Sequence, residues 1–113
     1  MGRDNVAKES EWSEADLQKH VITLAELRGW RVYHARPAQT GKGWRTPVGS
    51  DTSVGFPDLV LVRGKRVTYV ELKSEKGRVT PAQSEWLNAL TAAGATVYIF
   101  RPSMLDQILE VLR

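Results

Sequence analysis

Residues Gly55–Lys73 read GFPDLVLVRGKRVTYVELK, and the rest of the predicted fold is arranged around them. It holds two apolar runs, 58–62 and 67–72, which are rich in Val, Leu and Tyr and are separated by Arg-Gly-Lys-Arg, a composition typical of two strands joined by a tight turn. If Gly64 takes the first central position of a two-residue type II′ turn, the two flanking arginines pair and the rest of the register follows. The sequence therefore predicts an antiparallel β-hairpin.

This register brings charged side chains together at the open end of the hairpin. It places Asp58 opposite Glu71, and the alternation of a strand sends Lys73 to the same face. Two carboxylates about 5 Å apart in a half-buried sheet repel each other unless a positive group lies between them. Mg²⁺ or Mn²⁺ would satisfy both acids, because these ions take oxygen ligands.

A simpler interpretation of the same residues is that Asp58 and Glu71 are solvated acids at strand ends and that Lys73 pairs with one of them. We favour the metal site because the two strands are too apolar for a solvated edge and the acids stand where the apolar runs stop.

Composition bounds the class of protein. The 113 residues fit one domain, which we expect at 13–113 after a flexible tail at 1–12. The absence of cysteine excludes disulfides and thiolate zinc sites, and the net charge of +3 is a mild indication of a polyanionic partner. The sequence shows neither a membrane span nor a secretory signal, so we expect a cytoplasmic protein.

The elements around the hairpin predict an α/β fold. A capping-box start at Ser13 and helical spacing up to Gly29 indicate the first helix, and 30–35 alternates as a strand. A second helix begins at Thr80 with Pro81 and Gln83, the run 96–100 is a buried strand, and a last helix begins at 103. The predicted order is αβββαβα, a mixed sheet flanked by helices.

Two segments carry candidate contacts to nucleic acid. The segment 36–56 is dense in Gly, Pro, Ser and Thr and is predicted to be a long loop. It carries cations and an exposed aromatic side chain that suit phosphate contact and base stacking, namely Arg36, Lys42, Trp44 and Arg45. A flexible insertion whose tryptophan folds onto the core explains the segment equally well. After Lys73, the cations Lys76 and Arg78 are placed to contact a phosphodiester backbone, and an ordinary polar turn is the alternative, more so for Lys76 than for Arg78.

The motif residues resemble a known family. Pro57-Asp58 followed by Glu71-Leu72-Lys73 matches the signature of the PD-(D/E)XK nucleases. The continuation ELKSEKGRVTPAQ at 71–83, together with Trp86 and Arg101-Pro102, resembles the virus-type replication-repair nuclease (VRR-NUC) branch of that superfamily. The resemblance extends from about residue 14 onward.

The resemblance implies a restriction-endonuclease-like core and a metal-dependent DNA endonuclease. It implies that Asp58, Glu71 and the backbone carbonyl of Leu72 hold Mg²⁺ or Mn²⁺, with Lys73 as a further catalytic residue. It also suggests a metal ligand on the first helix, for which Glu14 is the best match, and a catalytic glutamine, which is Gln83 here. Each of these two has a structural alternative, because an acid suits the first turn of a helix and a glutamine completes a capping box.

The resemblance further implies branched DNA such as four-way junctions as substrate, a homodimer, and a bacterial or phage-infected host. Two alternatives stay open on the sequence alone. One is a non-catalytic DNA-binding module on the same fold, and the other is a nuclease that acts on single strands or RNA.

Overall fold

The helices and strands follow one another in the predicted order, with one additional hairpin between the first two predicted strands. The computed structural model describes residues 11–35, 38–40, 43–45 and 53–113, and for 38–40 and 43–45 it describes the backbone alone. The elements are α1 (Glu14–Leu27), β1 (Arg31–His34), β2 (Ala38–Thr40), β3 (Gly43–Arg45), β4 (Leu59–Arg63), β5 (Arg66–Leu72), α2 (Pro81–Ala92), β6 (Thr96–Phe100), a 3₁₀ turn (Pro102–Met104) and α3 (Leu105–Val111).

The central hairpin has the predicted register. Strands β4 and β5 pair antiparallel, with Arg63 opposite Arg66 and Leu59 opposite Val70. Gly64 has φ +61°, as the first central residue of a type II′ turn requires, and no non-glycine residue in the described ranges has a positive φ. The pairing and the turn are confirmed.

A mixed four-stranded sheet grows from this hairpin in the order β1-β4-β5-β6. Strand β1 runs antiparallel to β4, and β6 runs parallel to β5. A parallel neighbour requires a crossover connection, which α2 supplies between β5 and β6. The predicted mixed sheet with flanking helices is confirmed.

The segment predicted as a long loop contains two short strands. Strands β2 and β3 form a separate two-stranded antiparallel sheet, with Gln39 opposite Trp44. Three-residue strands give too short a pattern for period-two alternation to be recognised. Arg36 and Lys42 lie outside the described residues, and Trp44 and Arg45 belong to β3 with only their backbone described.

The main core lies on the sheet face covered by α1 and α3. On the hairpin, the core side chains alternate with those of the opposite face, and residues of α1 and α3 pack against them. The buried residues of this core are Leu17, Val21, Ala25, Trp30, Leu59, Leu61, Val70, Leu72, Phe100, Ile108 and Leu112. Because Leu59, Leu61, Val70 and Leu72 fill this face, the residues between them on each strand point to the other face.

The end of α3 is held by side chains from the sheet. The indole Nε1 of Trp30 donates to the carbonyl of Leu112 at 3.0 Å, and Arg66 Nη2 donates to the carbonyl of Val111 at 2.8 Å. The guanidinium groups of Arg63 and Arg66 stack on the Trp30 ring, 4.7 and 4.6 Å from its centroid. Cations at these carbonyls complement the negative end of the helix dipole, so the hairpin anchors the last helix.

The first residues of the described chain already belong to the packed structure. Trp12, which lies within the predicted tail, packs against the core and stacks on His20 with the ring centroids 4.0 Å apart. Residues 1–10 lie outside the described ranges, so the division into tail and domain stays a prediction. In the described part of the chain, no helix combines the length and apolar character that a membrane crossing requires.

Candidate active site

The open end of the central hairpin gathers the predicted acids. The last pair of the ladder is Leu59 with Val70, and the next position along each strand is Asp58 and Glu71. Both residues alternate with core residues, so both belong to the face of the sheet opposite α1 and α3. The negative charge of Asp58 raises the pKa of Glu71, which shows that the two carboxylates interact.

Asp58 is fixed from both neighbouring strands. Its carboxylate Oδ2 accepts a hydrogen bond from the backbone N–H of Leu72 at 2.8 Å, and its backbone carbonyl accepts one from the N–H of Ala35 at 3.3 Å. The half-buried Asp58 side chain is therefore held across the hairpin rather than turned out into solvent. A side chain held in this way is preorganised for binding a ligand.

Glu71 is a buried carboxylate that accepts no hydrogen bond from the described residues, although Lys73 lies beside it. The residue is 1% exposed, and within the described residues neither carboxylate oxygen accepts a hydrogen bond. Burial in the first place, and the charge of Asp58 in the second, raise the pKa of Glu71 from 4.5 to about 7. A buried carboxylate normally has hydrogen-bond partners, so this side chain has capacity that the described chain does not fill.

Lys73 supplies the positive charge beside Glu71. Its Nζ lies 3.5 Å from Glu71 Oε2, and the residue is only 7% exposed. This charge lowers the pKa of Glu71 and so offsets part of the rise caused by burial. The lysine therefore belongs to the same cluster as the two acids, as the sequence predicts.

Glu14 stands at the edge of the cluster, on the first turn of α1. Partial burial of its carboxyl group and the charge of Asp58 raise its pKa, and the charge of Lys73 lowers it. The helix thus brings Glu14 within electrostatic range of the site, although the residue as a whole is exposed. Whether it ligates a metal stays a prediction.

The donor set fits a hard divalent cation. Asp58 and Glu71 offer oxygen atoms only, and the two Glu71 oxygens are free of hydrogen bonds from the described chain. No group of three or more His, Asp or Glu side chains within the described ranges is arranged to hold an ion. The fit therefore rests on two carboxylates, with any further ligand coming from a backbone carbonyl, water or a rearranged Glu14.

The entry to Asp58 packs on the start of α2. Gly55 has φ +91°, and a Cβ there would lie 2.6 Å from the carbonyl carbon of Ala82 and 2.8 Å from the N of Gln83. The Phe56 ring then packs edge-on between Tyr69 and Trp86, at centroid distances of 6.0 and 4.9 Å. The segment before Asp58 is thereby fixed between β5 and α2.

Gln83 takes part in the cap of α2. Its side-chain Oε1 accepts from the Thr80 N–H at 2.9 Å, and its own N–H donates to Thr80 Oγ1 at 3.2 Å. This is the capping box that the sequence predicts, so the structure accounts for Gln83 without a catalytic role. A role in the reaction stays a prediction.

The segment after Lys73 is held by residues that the sequence analysis did not select. Arg101 and Ser103 make hydrogen bonds to residues 74–77, and Lys76 and Arg78 are exposed on this segment. The only signal in the sequence was the Arg101-Pro102 pair, which the resemblance included without a role. The exposed positions of Lys76 and Arg78 are compatible with the predicted phosphate contacts.

Comparison with known proteins agrees with this fold. The sequence model of the VRR-NUC domain matches residues 6–104. One similar solved structure is a "VRR_NUC domain protein", with a TM-score of 0.62 and 20% identity over 89% of this chain and 85% of that chain. Another, a "VRR_NUC domain", has a TM-score of 0.61 and 21% identity over 88% of this chain and 97% of that chain. At these identities the solved structures show the fold alone. No curated protein matched the chain.

Proposed function

The chain belongs to the VRR-NUC domain family of nucleases, and from this premise we propose that it is a Mg²⁺- or Mn²⁺-dependent DNA endonuclease that hydrolyses phosphodiester bonds. The observation that carries the proposal is the buried carboxylate of Glu71, which interacts with Asp58 and receives no hydrogen bond from the described chain. A divalent cation would offset the cost of burying Glu71 beside the charge of Asp58, a cost that the single ammonium of Lys73 offsets only in part.

The ligands of the ion would be the carboxylates of Asp58 and Glu71 and the backbone carbonyl of Leu72, with Glu14 acting directly or through water. When bound, the ion supplies Lewis-acid chemistry, that is, activation of water and neutralisation of charge on the phosphate. The hydrogen bond from the Leu72 N–H to Asp58 supports this assignment, since it fixes the aspartate beside the strand that carries the other ligands.

Lys73 is the catalytic cation in this proposal. Its nearly buried ammonium, 3.5 Å from Glu71, can orient the attacking water and donate hydrogen bonds to phosphoryl oxygens as negative charge develops on them. A low-exposure site strengthens such interactions, because little water competes for the charge. Gln83 is assigned an auxiliary role at most, since its Oε1 serves the helix cap.

The DNA would lie over the segments that flank this cluster. Lys76 and Arg78 are exposed beyond Lys73 and are assigned to the phosphodiester backbone. Arg36, Lys42, Trp44 and Arg45 are assigned to phosphate contact and base stacking on the basis of their residue types. Branched DNA such as a four-way junction is the proposed substrate, and a homodimer would place two such sites for two symmetric cuts.

A substrate and metal panel tests the proposal. The protein is incubated with duplex, single-stranded, flap and four-way junction DNA and with RNA, each in Mg²⁺, Mn²⁺, Ca²⁺ or EDTA. We expect cleavage with Mg²⁺ or Mn²⁺, strongest on junctions, and none in EDTA or with the variants Asp58→Asn and Glu71→Gln. Cleavage by both folded variants would eliminate the site.

Other outcomes of the panel identify the alternatives. Tight DNA binding without cleavage under any metal condition would indicate a non-catalytic binding module, and preferential cleavage of single strands or RNA would reassign the substrate. Light scattering of the purified protein, alone and with junction DNA, measures the oligomeric state separately. A monomer in both conditions would contradict the proposed homodimer.

A further inference from the structure

Arg101 lies outside the acid cluster, but its side chain makes three hydrogen bonds to the segment after Lys73. Its Nη1 donates to the carbonyl of Ser74 at 2.8 Å, to that of Glu75 at 3.1 Å and to that of Gly77 at 2.8 Å. We define residues 74–77 as the post-lysine turn. A guanidinium donating to three carbonyls in one turn fixes the direction of the whole backbone segment.

A second contact holds the same turn from the same side. The carboxylate of Glu75 accepts from the Ser103 N–H at 3.0 Å and from Ser103 Oγ at 2.7 Å. These two hydrogen bonds lower the pKa of Glu75, so the carboxylate stays charged and keeps both donors at neutral pH. Arg101 and Ser103, which follow β6, therefore hold the turn by its backbone carbonyls and by the Glu75 side chain.

The post-lysine turn lies directly beside Lys73. A Cβ built on Gly77 would be 3.5 Å from Lys73 Cδ and 3.0 Å from Ser74 Oγ, so Gly77 lies beside the aliphatic stem of the lysine. The backbone N–H of Lys73 is bonded to the carbonyl of Phe100 at 3.0 Å, which fixes the other side. Lys73 is 7% exposed, and its Nζ lies 3.5 Å from Glu71 Oε2.

From these contacts we propose that Arg101 is a positioning residue for the nuclease reaction, holding the post-lysine turn over Lys73 so that its ammonium stays against Glu71. The inference rests on the proposed function for the role of Lys73, but the link from Arg101 to Lys73 can be measured without cleavage. A long lysine side chain has several accessible rotamers, and the turn removes those that lead to solvent.

The experiment measures the exposure of Lys73 and the chemical step separately. Reductive methylation of the DNA-free protein, followed by mass spectrometry of the peptides, gives the labelling rate of each lysine. We expect Lys73 to be protected in the wild type and at least about tenfold more reactive in Arg101→Ala, because a side chain that is 7% exposed must first be uncovered. Exposed Lys65, at the turn of the β4–β5 hairpin and away from the post-lysine turn, serves as the internal standard.

The matched control is Arg31→Ala, which removes an exposed cation on β1. It should leave the labelling of Lys73 unchanged, and so should any variant that only lowers the net charge. If Arg101→Ala fails to fold by circular dichroism, Ser103→Ala removes one hydrogen bond to Glu75 and should give a smaller rise in the same measurement. Wild-type protection of Lys73 in a folded Arg101→Ala variant, or in Ser103→Ala where Arg101→Ala does not fold, would overturn the proposal.

Single-turnover cleavage at saturating DNA then tests the link to the reaction. We expect Arg101→Ala to lower the rate at least about tenfold while changing the DNA dissociation constant less than threefold, the pattern of a lost transition-state interaction. An uncovered Lys73 with an unchanged cleavage rate, or a loss confined to affinity, would overturn the positioning role. Absence of cleavage by the wild type would refute the proposed function instead, while the labelling result would still report the contact between the turn and the lysine.

Discussion

Glu71 and Lys73 form an ion pair inside the fold, with Oε2 and Nζ 3.5 Å apart and with side-chain exposures of 1% and 8%. The two residues are separated by one position on the same face of β5 and its continuation. One ammonium cannot balance the acids around it, because Asp58 and Glu14 also raise the pKa of Glu71. Without a bound cation, the cluster therefore has more acidic groups than the one ammonium of Lys73 can neutralise.

The pH dependence of stability should report Glu71. In the folded protein without metal its pKa is raised from 4.5 to about 7, so the folded state keeps a proton that the unfolded chain releases. Glu71 therefore stabilises the folded state most below about pH 4.5. As pH rises from there to about 7, the free energy of unfolding falls by at most about 3 kcal/mol, and above about pH 7 this contribution no longer changes. Thermal melts in EDTA from pH 4 to 8 measure this.

The control for this prediction is Glu71→Gln, which has no proton to lose. The difference in melting temperature between wild type and variant should grow in favour of the variant as pH rises. Mg²⁺ at pH 8 should then raise the melting temperature of the wild type and leave that of the variant unchanged, because only the wild type would bind the ion more tightly when folded. Parallel pH curves for the two proteins would contradict the assigned pKa.

Removing the ammonium of Lys73 should slow the chemical step more than it weakens binding. Lys73→Met keeps the aliphatic stem but loses the charge next to Glu71, so we expect a fall of about 10²–10³-fold in the single-turnover rate and less than threefold in DNA affinity. Lys65→Met, at the exposed turn of the hairpin, is the matched control and should behave as wild type. Equal losses in rate and affinity would make Lys73 a binding residue.

The exposed cations in and directly after the post-lysine turn should contribute to the salt dependence of DNA binding. Replacing Lys76 and Arg78 together by Ala should reduce the slope of log K against log salt by about 2, since each phosphate contact contributes about 0.9. Fluorescence anisotropy of labelled DNA from 50 to about 300 mM salt measures the slope. The paired control replaces Arg31 and Lys65, and a loss of slope as large in the control as in the test variant would show a non-specific charge effect.

Gly55 should tolerate no side chain. A Cβ there would lie 2.6 Å from the backbone of Ala82, and its φ of +91° is unfavourable for other residues. We expect Gly55→Ala to lower the free energy of unfolding by about 2–4 kcal/mol, measured by urea denaturation. Gly94→Ala is a close control, because its φ is +90° but no described atom lies within 4 Å of its Cβ, so it should cost only about 1 kcal/mol. Equal costs at both sites would show that the contact with α2 is unimportant.

Much of the site could be predicted because it depends on a local pattern. A two-residue turn at Gly64 fixes the register of two adjoining strands, and the register alone brings Asp58 opposite Glu71. The capping boxes at Ser13 and Thr80 are also encoded within four residues, and both are present. Features that depend on so few neighbouring residues can be predicted even when the rest of the fold is not known.

The hairpin β2–β3 was missed for the opposite reason. Its strands have three residues each, Ala-Gln-Thr and Gly-Trp-Arg, which is too few to show an alternation of apolar and polar residues. Such short strands are stabilised by pairing with each other, which no single-strand pattern reports. The candidate residues of this region, Arg36, Lys42, Trp44 and Arg45, therefore stay predictions.

Patterns among neighbouring residues were enough to predict the hairpin and the face on which the acids lie, and motifs spread from Pro57 to Pro102 were enough to identify the family. The burial of Glu71 without donors from the described chain and the contacts of Arg101 with the turn beside Lys73 depend on how the chain packs. The hydrogen bonds of Arg101 join residues 24 to 27 positions apart, and the acids that act on Glu71 include Glu14, which is carried by α1. Contacts of this kind leave no periodic trace in the sequence, since they form only when distant elements pack together.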